Sequence, residues 1–371
     1  MVDELMARVS SFASLWSAAR RAARGKRNRA SVAHTLFHLE STVIRLEREL
    51  REGSWRPGPV LQREIFDPKR RLITVAPFED RIVHQSLCAA IGPLLDRHLV
   101  AHTYACRVGL GTHAALRQAR LWARSFAYAL HLDVSRFFPS VDNDILLQQI
   151  THDVPSAAVV ELCARILDAG AAEKSAGRLH FPGDELFSPL GRRVGLPIGN
   201  LTSQHFANRY LSPVDHRAKD RLRVHAYLRY MDDMLLFSND RSQLEDWGHG
   251  IEQACWRQRL RLHPWQVVPT RQGITWLGFR ILPNELRVKR SSVARAERRL
   301  EALRAQELET AGTDNAEASH DRLTTSLRST FAHWNHADSW RLRTQTLRRL
   351  GLLAFDDDDE DEPKQSQCPT E

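Results

Sequence analysis

Cysteine is scarce. The five in the chain (Cys88, Cys106, Cys163, Cys255 and Cys368) are scattered and form no C-x-x-C pair. This excludes a disulfide scaffold, argues against zinc and points to a reducing compartment. Long apolar runs are also missing: no stretch of 18 uncharged apolar residues occurs, so no helical membrane span and no membrane partner are expected. The opening MVDELMARVSSF carries acids and lacks a basic segment followed by an apolar one, so no secretion signal is read and a cytoplasmic location is expected. Lysine is nearly absent, with only six among 53 basic residues. No internal repeat occurs. With 42% apolar and 26% charged residues, the 371-residue chain is neither disordered nor fibrous and is long enough for two or three compact units.

What is present is positive charge carried by arginine. The last sixteen residues, 356–371, hold eight acids and one lysine. Residues 1–355 therefore carry 52 basic against 37 acidic side chains, a net of +15 against +8 for the whole chain. Guanidinium groups present forked donors that match phosphate oxygens, so a nucleic acid or nucleotide partner is indicated. Codon usage also enriches arginine, and the basic stretch RRAARGKRNR (20–29) reads equally as a solvated surface.

Periodicity sets out the elements. Residues 1–55 read as helical, with Leu36, Leu39, Val43, Leu46 and Leu50 on one face of segment 36–50. The cluster GSWRPGP (53–59) breaks the pattern, and REIF and RLITV then read as strands joined by DPKRR. Helical spacing returns over 79–99, a Gly-punctuated loop covers 103–113, and a helix from 114 runs into the strand YALHLDV (128–134). Residues 143–170 read as largely helical, 171–196 as a Gly-rich irregular insert with short strand segments, and 203–222 as a helix. Segment 225–238, HAYLRYMDDMLLFS, reads as two apolar strands flanking a polar tip. A helix over 242–259, strands LRLHPWQVV and ITWLGFRIL, and a basic helical region over 291–350 complete the chain. The tail FDDDDEDEPKQSQCPTE is expected to be disordered. Strands and helices in this order suggest an α+β layer, an antiparallel sheet with helices on one face, rather than a doubly wound sheet.

Two carboxylate positions carry the chemistry. Asp133 ends an apolar strand, and Asp232 and Asp233 occupy the tip of the expected hairpin. Each position alone also reads as ordinary cap or turn chemistry. Brought together on a sheet, such carboxylates repel unless divalent cations neutralise them. Paired cations are the recurring device for in-line attack on a phosphate.

The ordered motifs resemble those of a reverse transcriptase over roughly residues 10–350. LDVSRFFPS is similar to the first catalytic block and YMDD (230–233) to the second, with GLPIGNLTSQHFANRYL (195–211) between them similar to the block that holds nucleotide and template. DPKRRLITVAPFEDRIVHQSL and YACRVGLGTHAAL resemble the finger blocks, WLGFRI (276–281) the primer-grip hairpin, and FAHWNHADSW (331–340) a thumb segment. The resemblance implies a right-hand polymerase. Its divisions would be an N-terminal helical extension (1–60), fingers (61–125), a palm with finger insertions (126–290), a helical thumb (291–352) and an acidic tail (353–371). It implies Asp133, Asp232 and Asp233 as catalytic and metal-binding acids, with the Val134 carbonyl as a further ligand, and two Mg²⁺ ions that Mn²⁺ can replace. It assigns nucleotide binding to Lys69, Arg71, Arg81, Phe138, Ile198, Gly199 and Gln204, with the Phe138 ring excluding a ribose 2′-hydroxyl. Phe138 also reads as core beside Phe137. Leu277, Gly278 and Phe279 correspond to the primer grip. Template RNA, nascent cDNA and dNTPs are the implied partners.

One departure refines the resemblance. Many reverse transcriptases have glutamine where Ile198 stands before Gly199, and an aliphatic side chain cannot make that amide's directed hydrogen bond. The form Ile198-Gly199-Asn200-Leu201-Thr202-Ser203-Gln204 resembles the reverse transcriptases of diversity-generating retroelements. These copy a template RNA with errors at adenines and work with a small basic helical accessory protein that is often an oligomeric ring. After the thumb only the acidic tail is read, so no nuclease domain is expected. HPWQVVP (263–269) lacks the lysine that relatives place nearby as an acid for pyrophosphate, leaving His263 as a weak candidate. A phage-defence or intron-derived reverse transcriptase is the alternative, and an RNA-binding scaffold on an inactive polymerase fold is a third reading, against which the intact acids argue. Gly109-Leu110-Gly111 reads as a turn, and His333 and His336 as packing or template contacts rather than metal ligands. Trp334 and Trp340 read as core or as stacking surfaces.

Overall fold

The computed structural model describes residues 3–66, 70–170, 179–185 and 191–353. Lys69, segments 171–178 and 186–190 of the 171–196 insert, and the acidic tail from 354 lie outside the described residues. Two compact units are present, Met1–Thr270 and Arg271–Glu371.

The first unit opens with four helices, α1 (Glu4–Ser10), α2 (Phe12–Ala22), α3 (Ala30–Phe37) and α4 (Leu39–Arg51). Asp3 and Ser11 cap α1 and α2 by accepting from the backbone N–H groups of Met6 and Ser14. The continuous helix expected over 36–50 is broken at His38, which leaves helical geometry between α3 and α4. The predicted stripe survives the break, since Leu39, Val43, Leu46 and Leu50 are all buried. Strands β1 (Leu61–Phe66) and β2 (Arg70–Val75) form a two-stranded antiparallel hairpin. Helix α5 (Phe78–Asp96) follows and is buried along most of its length, as a central helix must be when apolar residues surround its axis. Helix α6 (Thr112–Ser125) precedes the main sheet.

That sheet has four strands in the order β4-β5-β3-β6, all antiparallel: β3 (Tyr128–Asp133), β4 (Tyr227–Tyr230), β5 (Asp233–Ser238) and β6 (Val267–Pro269). Because side chains alternate along a strand, Leu130 and Leu132 pair with Leu236 and Met234 on one face and enter the main core. His131 and Asp133, paired with Leu235 and Asp233, occupy the other. Between β3 and β4 lie α7 (Phe137–Ser140), α8 (Asn143–Asp153), α9 (Ala157–Gly170) and α10 (Leu201–His216), which passes into a π turn at Arg217–Arg221. Helix α11 (Arg241–Arg257) contributes Leu244, Ile251 and Cys255 to the core face. Trp265 lies so close to Gly248 of α11 that a Cβ there would sit 2.6 Å from the indole. The other face is not bare throughout. Trp122 of α6 stands 6.0 Å, centroid to centroid, from Phe237 at the end remote from Asp133.

The strand expected over 260–268 is interrupted. Val134 bridges Leu262, yet Leu130 pairs with Val267, so four residues (263–266) oppose three (131–133). This is a bulge, the local insertion that bends a strand and re-aims its side chains. In the second unit, the expected strand ITWLGFRIL is instead two strands, β7 (Ile274–Trp276) and β8 (Phe279–Ile281), turned back at Leu277-Gly278. A third strand, β9 (Leu286–Val288), pairs with β8 and was not anticipated. Helices α12 (Arg290–Glu309), α13 (Ala316–Trp334) and α14 (Trp340–Arg349) follow. This unit starts at Arg271, so its sheet groups with the C-terminal helices and not with the preceding strands. Trp276, Phe279 and Trp334 are buried within it, whereas Trp340 is exposed. Among the described residues, no helix is long and apolar enough to cross a membrane.

Candidate active site

The carboxylates converge. Asp133 and Asp233 are directly opposed across the β3–β5 pair, which puts their side chains on one face a single inter-strand step apart. Asp232 lies in the two-residue turn Met231-Asp232 that joins β4 to β5, and its carbonyl accepts from the Val134 N–H at 3.4 Å. Residues separated by about a hundred positions thus share one end of the sheet. Asp133, Asp232 and Asp233 are all half-buried, so their shared edge remains within reach of solvent.

The two adjacent acids differ in their surroundings. Asp233 Oδ1 pairs with Nε2 of His131 at 2.7 Å, two residues from Asp133 on the same face. The third strand brings in His263: its N–H donates to the Asp133 carbonyl at 2.8 Å, and Ser135 N–H donates to the Arg261 carbonyl at 2.8 Å. The bulge therefore sets exposed His263 opposite Asp133, at the outer flank of the same row. On that face Tyr230 accepts from Thr112 Oγ1 at 3.1 Å.

The donor chemistry fits a hard divalent cation, because carboxylate and carbonyl oxygens suit Mg²⁺, which keeps waters and substrate phosphates for its other positions. Among the described residues, no group of three His, Cys, Asp or Glu side chains is gathered as a self-sufficient metal cage. The fit is therefore to a two-carboxylate edge completed by backbone, water or substrate oxygens.

The expected nucleotide contacts fall on three elements around this edge. Arg136 adopts positive φ (49°) and turns the chain from β3 into α7. Phe137 is buried, while Phe138 is half-buried against the core, its ring 5.4 Å from Phe137 and its carbonyl accepting from Leu196 N–H. Of the two rings, Phe138 is the one still available to a ligand. The Ile198 carbonyl accepts from Thr74 N–H at 3.0 Å, which ties the segment before α10 to finger strand β2. Gly199 has φ +115°, and a Cβ there would lie 3.0 Å from the Thr74 carbonyl, so this approach requires glycine. Gln204 accepts from Cys106 Sγ at 3.3 Å. Arg81 donates through Nε to the Ala76 carbonyl at 2.9 Å, which commits one edge of its guanidinium to the backbone. Arg71 is paired with Ile65 in the hairpin, and Lys69 lies outside the described residues.

In the second unit, Leu277 and Gly278 both have positive φ, and the Gly278 carbonyl accepts from Lys289 N–H at 2.9 Å. Phe279 is buried against His333, with ring centroids 4.8 Å apart. Trp334 is core, as one of its alternatives had it, whereas His333 touches Phe279 and stays exposed.

A family model for reverse transcriptase (RNA-dependent DNA polymerase) matches residues 66–281. The chain belongs to this family. The match spans Asp133, the Asp232-Asp233 tip and the Leu277-Gly278 turn. This reverse transcriptase has the right-hand polymerase fold, with the four-stranded sheet as its palm, and its family uses divalent metal ions. It is similar to Protein YkfC of Escherichia coli (strain K12), with 23% identity over 274 residues, 64% of this chain and 70% of that protein. Among solved structures it is similar to apo telomerase from Candida tropicalis (12% identity, TM-score 0.47, 78% of this chain). It is also similar to telomerase from Candida albicans in complex with a TWJ fragment of telomeric RNA (12% identity, TM-score 0.42, 80% of this chain). The chain spans 61% and 55% of the length of those two telomerase chains.

Sequence reasoning missed one residue at this site. Arg229, two positions before the turn, is fully buried, and its guanidinium reaches the Met231 carbonyl at 2.9 Å. Its signal was present: an arginine inside an otherwise apolar four-residue strand, alternating in phase with buried Tyr227.

Proposed function

We propose that this reverse transcriptase copies a template RNA into cDNA with frequent errors at adenines, as the polymerase of a diversity-generating retroelement. The observation that carries the mutagenic part is Ile198 before Gly199. An aliphatic residue, tied through its carbonyl to strand β2, stands where an amide would read the nucleotide. A pocket that gives up a directed hydrogen bond gives up part of the free-energy difference between right and wrong pairs.

In this reading the primer 3′-oxygen attacks the α-phosphorus of a dNTP. The α–β phosphoanhydride breaks and pyrophosphate leaves. Asp133, Asp232 and the Val134 carbonyl would hold Mg²⁺, which would supply a lower pKa for the attacking hydroxyl and neutralisation of phosphate charge. Asp133 and Asp232 hold the metal-binding edge at a fixed separation, because each belongs to a strand or a turn locked in one sheet. Asp233 pairs with His131 and orients that edge. Phe138 presents its half-buried ring against the sugar and disfavours a 2′-hydroxyl. Arg71, Arg81 and Lys69 supply positive charge for the triphosphate, and arginine-rich surfaces hold template and cDNA with an affinity that falls as salt rises. A small basic helical accessory protein completes the assembly.

The test is primer extension on an RNA template with dNTPs and Mg²⁺, followed by sequencing of the product. Errors concentrated at template adenines are expected. Ile198→Gln is expected to lower them by about tenfold, the scale of one well-placed contact in a pocket. Efficient extension with an even error spectrum would favour the phage-defence or intron-derived reading, and an unchanged spectrum in Ile198→Gln would defeat the fidelity argument alone.

A further inference from the structure

Arg229 lies on the core face of β4, beneath the turn that carries Asp232. All five of its N–H donors are used. Nε donates to Asp215 Oδ1 at 2.7 Å and Nη2 to Asp215 Oδ2 at 2.7 Å, a bidentate pair in which both side chains are fully buried. Nη2 also donates to the Asn208 carbonyl at 3.3 Å, and Nη1 donates to Asn208 Oδ1 at 3.1 Å and to the Met231 carbonyl at 2.9 Å. Tyr227 adds its hydroxyl to Asp215 Oδ1 at 2.6 Å. Burial pulls the Arg229 pKa down, but the Asp215 carboxylate outweighs this and raises it, so the group stays charged.

The geometry of the turn gives this network a purpose. Met231 has φ +54°, a conformation that strains a residue with a side chain. Its carbonyl belongs to the same peptide plane as the N–H of Asp232. Arg229 therefore fixes the peptide entering Asp232, while Val134 N–H binds the carbonyl on the far side at 3.4 Å. Held at both ends, Asp232 has little freedom in where its Cα–Cβ bond points relative to Asp133. The same guanidinium grips Asn208 of α10, whose amide donates to the Ala105 carbonyl at 2.8 Å, one residue from the Cys106–Gln204 contact. One buried charge thus joins the carboxylate turn, the nucleotide-block helix and the finger loop.

We propose that Arg229, oriented by Asp215, is a positioning residue: it stabilises the strained Met231 turn and so sets the place of the Asp232 carboxylate for divalent-cation binding. The proposal rests on the polymerase reading of the site. Lysine cannot substitute, because three donors on one nitrogen cannot span Asp215, Asn208 and Met231 together.

The test compares the full-length wild type with Arg229→Lys, with the double variant Arg229→Met/Asp215→Leu, and with Asp232→Ala as control. The apolar pair refills the buried volume, so it decides the matter if Arg229→Lys fails to fold; circular dichroism and melting establish folding. Mn²⁺ is titrated and followed by electron paramagnetic resonance, and primer extension supplies kcat and KM. Both clamp variants are expected to raise the Mn²⁺ half-saturation by roughly tenfold, as loss of a residue behind a ligand does. They are also expected to lower kcat by roughly 10- to 100-fold, with KM for primer-template within about twofold. Folded variants with wild-type Mn²⁺ affinity and kcat would overturn the proposal alone. A wild-type titration indistinguishable from Asp232→Ala would sink the polymerase reading and the proposal with it.

Discussion

Two hairpins in this protein are closed by two-residue turns, and they solve the same backbone problem differently. In the second unit, Leu277 and Gly278 both take positive φ, the pattern of the turn that best matches strand twist, and glycine occupies one of the two positions. In the first unit's turn Met231-Asp232, Met231 alone of the two has positive φ and neither residue is glycine. There the backbone is held by an external group, the buried Arg229 guanidinium on the Met231 carbonyl. The glycine turn is held by one backbone donor, Lys289 N–H on the Gly278 carbonyl at 2.9 Å. The Met231 turn is held by a buried ion pair, which costs more desolvation and bears on the residue that precedes Asp232. The difference teaches that a strained turn without glycine, at the end of a sheet that carries Asp133, Asp232 and Asp233, marks a position where geometry matters more than local stability.

The largest effect expected from breaking this comparison is on activity. Asp133→Ala or Asp232→Ala should lower primer extension by about 10³-fold or more, since several kcal/mol of charge stabilisation at 1.36 kcal/mol per tenfold is lost, with melting behaviour retained. Extension at wild-type rate in either folded variant would remove the site from the reaction.

The next effect separates the units by pH. Burial holds Asp80 up at about 6 and His84 down at about 4, one helical turn apart in α5 of the first unit. Asp80, raised above its ordinary 3.8, contributes stability that is complete below that value and is lost as pH rises through 6. His84 is kept neutral below its ordinary 6.5, so its contribution is lost as pH falls from 6.5 through 4. Each is worth about 3 kcal/mol and the slopes oppose, so their sum is nearly flat in the wild type. Asp80→Asn should leave the His84 slope exposed, with stability falling towards pH 4, and His84→Gln should leave the reverse. Urea unfolding at pH 4, 5, 6 and 7 reads both, and parallel pH curves for wild type and variants would contradict the assignment.

Smaller effects sharpen the contrast between the turns. Gly278→Ala puts a Cβ in ordinary contact, 3.9 Å from His333 Nε2, so only the backbone is strained and a loss of about 1 kcal/mol is expected in thermal melting. Met231→Gly should relieve strain and change stability by less than about 1 kcal/mol, while loosening Asp232 enough to lower kcat. Equal loss of stability at both positions would show that the two turns are supported alike.

Much of the site was legible in the chain. The apolar runs on either side of Asp133 and Tyr230–Asp233 had to pair, because neither YALHLDV nor DMLLFS can be left in water, and register then put Asp133 opposite Asp233. Gly199 entered through the family resemblance, and the structure supplies a reason for glycine there in the Thr74 carbonyl, 3.0 Å from where a Cβ would sit. Other features were hidden. The helix over 36–50 breaks at His38 although its apolar spacing continues, since periodicity is insensitive to one residue leaving helical geometry. The bulge at 263–266 has one mark in HPWQVVP, Pro264, since a proline inside a strand is confined to edges, strand starts and bulges, but its size and place are set by the pairing partners. LRV (286–288) is too short to signal β9.

The sequence by itself determined the α+β class, the strands that carry the acids and the arginine-rich charge, because these follow from local apolar pattern and composition. Only the tertiary structure decided that His263 stands opposite Asp133, that Phe138 rather than Phe137 keeps a free face, and that Arg229 is paired with Asp215. The first and last are contacts across 130 and 14 positions of chain, and a side chain's partner over that range is chosen by packing and burial, which no local pattern encodes.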